Sequence, residues 1–132
     1  MTTIRYQALF LLCALSCLAL PSEAAERMRA GQWDGTWTGG GRTRVTSNCI
    51  SQSDADAMNG DAKAVRAQLE KVIPASVCTL SDIKLNGDKV IYTSLCTGAK
   101  ENVITTTYHG DSFESVDSSG NTSVAKRTGA CK

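Results

Sequence analysis

From Ala8 to Leu20 every position is apolar except Ser16, and the run is preceded by Arg5 and followed by Pro21-Ser22-Glu23-Ala24-Ala25. A charged start, an apolar stretch and small residues in that order predict a cleaved export signal over residues 1–24, with Ser22 and Ala24 directing the cut after Ala24. A helix of this length spans about 20 Å, short of the roughly 30 Å bilayer core, so no transmembrane segment is expected after cleavage. A lipid-modified Cys17 is the rival, but Ala14 stands where Leu is expected and the apolar run continues past it.

The pattern then changes period. In Gln32 to Thr38, Trp33, Gly35 and Trp37 alternate with Asp34 and Thr36, which is the period of a strand. Gly39-Gly40-Gly41 marks a turn, and Arg42 to Ser47 reads as the returning strand with Arg42 and Arg44 on one face. Ser51-Gln52-Ser53-Asp54 has the form of a capping box and opens a short helix ending near Asn59-Gly60. In a second helix Ala62, Val65, Leu69 and Val72 form one stripe, with Asp61 at the start, Lys71 near the end and Pro74 as the stop. After Pro74 the chain reads as strands: Val77–Leu85, Lys89–Thr97, Val103–Tyr108, Ser112–Val116 and Thr122–Lys126. Asn86-Gly87 is the strongest hairpin signal between them. Turns every 10–13 residues and the lack of long crossovers predict antiparallel pairing. The expected fold is α+β: a curved antiparallel meander or partly closed barrel of six to seven strands, with a helical excursion between strands two and three. Residues 25–132 form its single domain.

Composition narrows the function classes. The chain has 132 residues, 14 basic and 13 acidic groups, for a formal charge of +1. So small an excess argues against a nucleic-acid partner, because phosphate binding needs a clear basic surplus. Removing residues 1–24 leaves four cysteines: Cys49, Cys78, Cys96 and Cys131. An even count in a small exported domain reads as two disulfides. A zinc site is not expected, since no CxxC pair occurs and His109 is the one histidine. No cofactor is expected.

The chemistry-bearing residues each have a plainer rival. Trp33 and Trp37 read first as core; at the mouth of a cupped sheet the same pair can line a pocket, and they are the candidate ligand-binding residues. His109, Asp111 and Ser112 invite a triad, but they lie along one turn and do not converge from separate elements. Asp54, Asp56, Asn59, Gly60 and Asp61 evoke a calcium loop, yet Met58, Asn59 and Val65 occupy the positions where it needs an oxygen ligand, a glycine and a glutamate. Glu101 and Glu114 read as exposed strand positions. Asn121-Thr122-Ser123 is a glycosylation sequon that matters only in a eukaryotic secretory route. Arg27, Arg29, Arg42 and Arg44 read as a solvated basic cluster, with an anionic partner as the alternative. No catalytic constellation remains, so no enzyme is expected.

Several marks follow one another in a recognisable order. They are Gly31-Gln32-Trp33; Cys49-Ile50-Ser51 before a Ser/Asp/Ala helix start; Cys78; Gly87; Val90-Ile91-Tyr92 ahead of Cys96; Tyr108; Gly110-Asp111-Ser112-Phe113; and the ending Lys126-Arg127-Thr128-Gly129-Ala130-Cys131. This pattern resembles the small exported bacterial proteins grouped as domain of unknown function 3617, over nearly the whole chain after the signal. It departs in Tyr92, where the family usually has Trp, and in the long charged helix between Cys49 and Cys78. The resemblance implies a periplasmic location, disulfides and no established activity.

The expectation is therefore a periplasmic or secreted, non-enzymatic binding protein holding a small apolar or envelope-derived ligand in the cup of its sheet. The alternative is a protein-binding module, such as an inhibitor of an exogenous hydrolase, whose partner is an envelope or incoming protein. Four cysteines allow three pairings. Cys49–Cys78 with Cys96–Cys131 is the favoured one, because it clamps the helical excursion and ties down the C-terminus through longer loops. Cys78–Cys96 stays open: an Asn86-Gly87 turn leaves the two cysteines one residue out of register, and a bulged turn would bring them opposite.

Overall fold

A computed structural model describes residues 26–132. The export-signal reading over residues 1–24, with Cys13 and Cys17, lies outside them.

The first hairpin is set by two glycines. Strand β1 (Gly31–Gly39) and strand β2 (Arg42–Ile50) pair antiparallel from Gly39 opposite Arg42 to Gly31 opposite Ile50. The two residues between them, Gly40 and Gly41, have φ of +55° and +72°. A two-residue turn with positive φ at both positions matches the twist of the flanking strands. Strand β2 runs to Ile50 rather than stopping at Ser47, because Asn48 and Cys49 keep pairing with Trp33 and Gln32.

Two capped helices follow. Ser51 caps α1 (Gln52–Asn59), its Oγ accepting from the Asp54 amide at 3.2 Å. Asp61 caps α2 (Ala62–Val72) by accepting from the Ala64 amide at 2.9 Å. Only the middle of the expected stripe in α2 is buried, at Val65 and Leu69; Ala62 and Val72, at the two ends of the helix, are exposed.

Strands β3 (Cys78–Asn86), β4 (Lys89–Cys96), β5 (Asn102–Tyr108), β6 (Ser112–Asp117) and β7 (Thr122–Gly129) form an antiparallel meander. The seven strands make one open sheet in the order β2-β1-β7-β6-β5-β4-β3. The first strand thus pairs with the last, and the helical excursion crosses from the β2 edge to the β3 edge. Crossing that way lays both helices over one face. The core lies between: Met58, Val65 and Leu69 from the helices meet Trp33, Leu80, Val90 and Tyr108 from the sheet. Trp33 stacks on Phe113 with ring centroids 5.9 Å apart, and Tyr108 tilts against Phe113 at 5.6 Å. The fold is α+β with the excursion between strands two and three, as expected, and the sheet does not close.

The disulfides correct the favoured pairing: they are Cys49–Cys131 and Cys78–Cys96. Two features of the backbone decide this. The hairpin turn is Gly87-Asp88, so Asn86 faces Lys89, one residue on from the expected frame. Asp82, with φ of +52°, then sits in a bulge where Asp82 and Ile83 oppose Tyr92 alone. One extra residue on β3 shifts the register and brings Cys78 directly opposite Cys96. At the other end, β7 lies beside β1, which lies beside β2, so the C-terminal residues need only pass the end of β1 for Cys131 to reach Cys49.

Candidate functional site

The covered face of the sheet is the side that carries Trp33, Gly35 and Trp37 on β1, and register places Asn48, Thr46 and Arg44 of β2 beside them. On β7 the same face carries Arg127, Ala125 and Ser123. The helices roof only part of it. Between them and the β1–β2 hairpin a recess of about 390 Å³ remains. Trp33, Phe113, Ala125 and Ile50 give it an apolar floor, and Asn48, Gln68 and Lys71 stand at its polar rim.

Ala125 on β7 stands at that floor, and opposite it on β1 is Gly35, where the two strands approach closely. A Cβ at Gly35 would lie 2.8 Å from the Ala125 Cβ and 2.7 Å from the Val124 carbonyl oxygen. Further along the same face, a smaller recess of about 190 Å³ is lined by Trp37, Tyr92, Ile104, Ser115, Asp117 and Asn121, among others. The Arg44 guanidinium lies 5.7 Å from the Trp37 ring centre. Asp117 does not offer its oxygens to this space. They accept from the Ser119 and Asn121 amides at 2.9 Å and from the side chains of Asn102 and Asn121 at 2.9 and 2.7 Å. Burial alone would raise its pKa; the four hydrogen bonds outweigh it and hold the carboxyl below its usual range. Tyr92 is pushed above the ordinary phenol value by burial, and Tyr108 well above it, again mainly by burial.

The two tryptophans therefore part company. Trp33 is 3% exposed and is core first and recess floor second. Its indole Nε1 is spent on the Arg29 carbonyl oxygen at 2.9 Å. Trp37 is half-buried and lines the polar recess. Asn48 and Gln68 at the rim were not singled out from the sequence, and Lys71 only as the basic residue near the end of its helix. The alternation of β2 carries a signal for Asn48, but it becomes informative only once the Gly40-Gly41 register is fixed.

The four arginines do not form one cluster, which corrects the solvated-cluster reading. Arg27 is buried and has no carboxylate partner among the described residues. It donates from Nη1 to the carbonyls of Met58 at 2.8 Å and Gly60 at 3.0 Å, and from Nε to that of Gly87 at 3.0 Å. Two of those carbonyls close α1, where a cation meets the negative end of the helix dipole. Arg29 bridges Glu26 at 2.9 Å and Asp111 at 3.0 Å on the surface. Arg42 and Arg44 lie on the β2 edge.

The acidic residues likewise have local structural partners. Asp54 pairs with Lys71 at 2.6 Å, Asp56 accepts from Gln52, and Asp61 caps α2. The Lys71 ammonium and the Ser51 hydroxyl hold the Asp54 carboxyl below its usual range. Asp111 faces Arg29 rather than His109, and His109 lies 3.9 Å from Glu114. Arg127 fastens the C-terminal motif: its Nε donates to the Ala30 carbonyl at 2.6 Å, and its amide donates to that of Asp111 at 2.8 Å. Among the described residues, no helix is long and apolar enough to cross a membrane.

A family model described as "Protein of unknown function (DUF3617)" matches residues 28–131, a span that takes in both disulfides. No curated protein and no solved structure matches the chain.

Proposed function

The chain belongs to the family described as protein of unknown function DUF3617, and from that premise we propose that it is an exported, non-enzymatic binding protein that holds a small apolar or amphipathic ligand beneath its helices. The observation that carries this reading is the recess of about 390 Å³ with its apolar floor and polar rim. That size falls in the range of small-molecule sites, and an apolar floor with a few polar groups at the mouth suits a ligand that buries a hydrocarbon part and keeps a polar end wet. The Cys49–Cys131 disulfide, whose Cys49 lines the recess, and the Trp33–Phe113 stack hold that wall in place before any ligand arrives, which lowers the ordering cost of binding. The two disulfides suit an oxidising compartment, the periplasm or the outside of the cell. The non-enzymatic part rests on the local partners of His109, Asp111 and the acidic residues.

The test uses the Trp37→Phe variant, in which Trp33 is the reporter, titrated with dodecanoate and dodecanol. Saturable change in Trp33 emission is expected. Ala125→Leu fills the recess and should weaken binding at least tenfold, and Val72→Glu at the mouth should weaken it without touching the floor. Equal affinities in all three proteins, or no saturable change, would overturn the reading.

A further inference from the structure

The sheet has two edges, and the protein treats them differently. The β3 edge is obstructed. Asp82 bulges it with positive φ, and Arg66 on α2 reaches over to donate to the Leu80 carbonyl at 3.1 Å. The β2 edge is bare. It pairs with β1 over nine residues with no bulge, and Arg42 to Cys49 are all exposed. It carries no Pro and no bulge, and its only charged side chains are Arg42 and Arg44. Alternate residues of an edge strand aim N–H and C=O outward. Apart from the β1 ladder, no described group hydrogen-bonds the backbone of residues 42–49.

We propose that β2 is a docking strand, adding to the sheet an extended segment of a partner protein in which acidic side chains alternate with aliphatic ones. The side chains define that chemistry. Arg42 and Arg44 project on one face, next to Trp37, and neither meets a carboxylate among the described residues. On the opposite face stand Thr43, between them, and Val45, beyond Arg44 and 82% exposed. Cross-strand neighbours interact pairwise, so acids belong opposite the two arginines and an aliphatic residue opposite Val45. In strand addition the backbone bonds supply affinity and the alternate side chains supply choice of partner. A second copy of this chain is a poorer occupant, since it brings two further arginines to the seam and no acid on β2 to offset them.

The probe is a fluorescein-labelled peptide with the core Val-Glu-Val-Glu-Val, read by anisotropy against the purified protein. Saturable binding that weakens with salt is expected, together with slowed amide exchange confined to residues 42–49. The double variant Arg42→Glu/Arg44→Glu, at two exposed positions, should lose this peptide at least tenfold and take up its Lys-for-Glu counterpart instead. N-methylation of alternate peptide amides should abolish binding with the protein unchanged. Several outcomes overturn the proposal: no binding of either peptide, equal binding of both, protection elsewhere than β2, or a free protein that sediments as a dimer with β2 already protected.

Discussion

Arg27 donates to the carbonyl oxygen of Met58 at 2.8 Å across a sequence separation of 31, so the segment ahead of β1 is anchored by a buried cation on the end of α1. The same side chain satisfies Gly60 and Gly87, joining the lead-in, the helix pair and the β3–β4 turn. Truncating it strands three carbonyls that have no other described donor side chain. Arg27→Met should therefore lower the unfolding free energy by about 2–4 kcal/mol in urea titrations. Arg27→Lys keeps the charge but not the fork and should recover only part of it. A cost below about 0.5 kcal/mol for Arg27→Met would show that these bonds add nothing beyond solvation.

The two disulfides close loops of very different length, with separations of 82 and 18 residues. Loop-closure entropy assigns them about 4.5 and about 3 kcal/mol. Cys49→Ser/Cys131→Ser should thus destabilise more than Cys78→Ser/Cys96→Ser, whose partners the hairpin already holds together. Paired thermal melts measure the order, and non-reducing peptide mapping of the oxidised protein should return Cys49–Cys131 and Cys78–Cys96 peptides. A Cys49–Cys78 peptide would contradict the structure directly.

Gly31 has φ of +141°, and a Cβ there would run into the Gly129 carbonyl oxygen and stand 2.6 Å from Arg127 Nε. The carbonyl is backbone and cannot step aside without shifting β7, which is how the C-terminus reaches Cys49. Gly31→Ala should cost more than about 2 kcal/mol, while Gly40→Ala, with positive φ but open space, should cost about 1 kcal/mol. Similar losses for the two would mean that φ, and not the close approach, sets the cost.

Asp117 contributes to stability through its ionised form. Its folded-state pKa is lowered, so the contribution is present above the unfolded carboxylate value of about 4 and is lost as pH falls through the folded value. The gap in stability between the wild type and Asp117→Asn should be open at pH 7 and narrow steadily on acidification. A gap that stays constant down to pH 2 would show that the turn does not depend on the charge.

The site was less legible than the fold. Trp33 and Trp37 share a face by simple alternation, and that much is sequence. Which of them meets solvent depends on how far the helices cover the sheet, and Val72, inside α2 yet exposed, shows that the stripe alone does not tell. Asn48, Gln68 and Lys71 come to one rim from β2 and α2, and no local pattern links those positions. Arg27 sat in an arginine-rich stretch that reads as surface; its burial follows from carbonyls contributed 31 to 60 residues away.

What the sequence determined by itself is local. The period of two in Gln32–Thr38, the Ser51 and Asp61 caps, the stop at Pro74 and the turn glycines specify six to seven strands and two helices, because each signal acts over a few residues of backbone. The order of short motifs from Gly31 to Cys131 also specified the family. The tertiary structure decided everything that depends on distant partners. One bulged residue at Asp82 moved Cys78 opposite Cys96, and the pairing of β1 with β7 carried Cys131 to Cys49. The same pairing left β2 and β3 as the edges and sent the helices across one face to leave the recess over Trp33. A register shift of one residue or a choice of neighbouring strand costs little locally and changes every long-range contact, which is why neither could be read from the pattern of the chain.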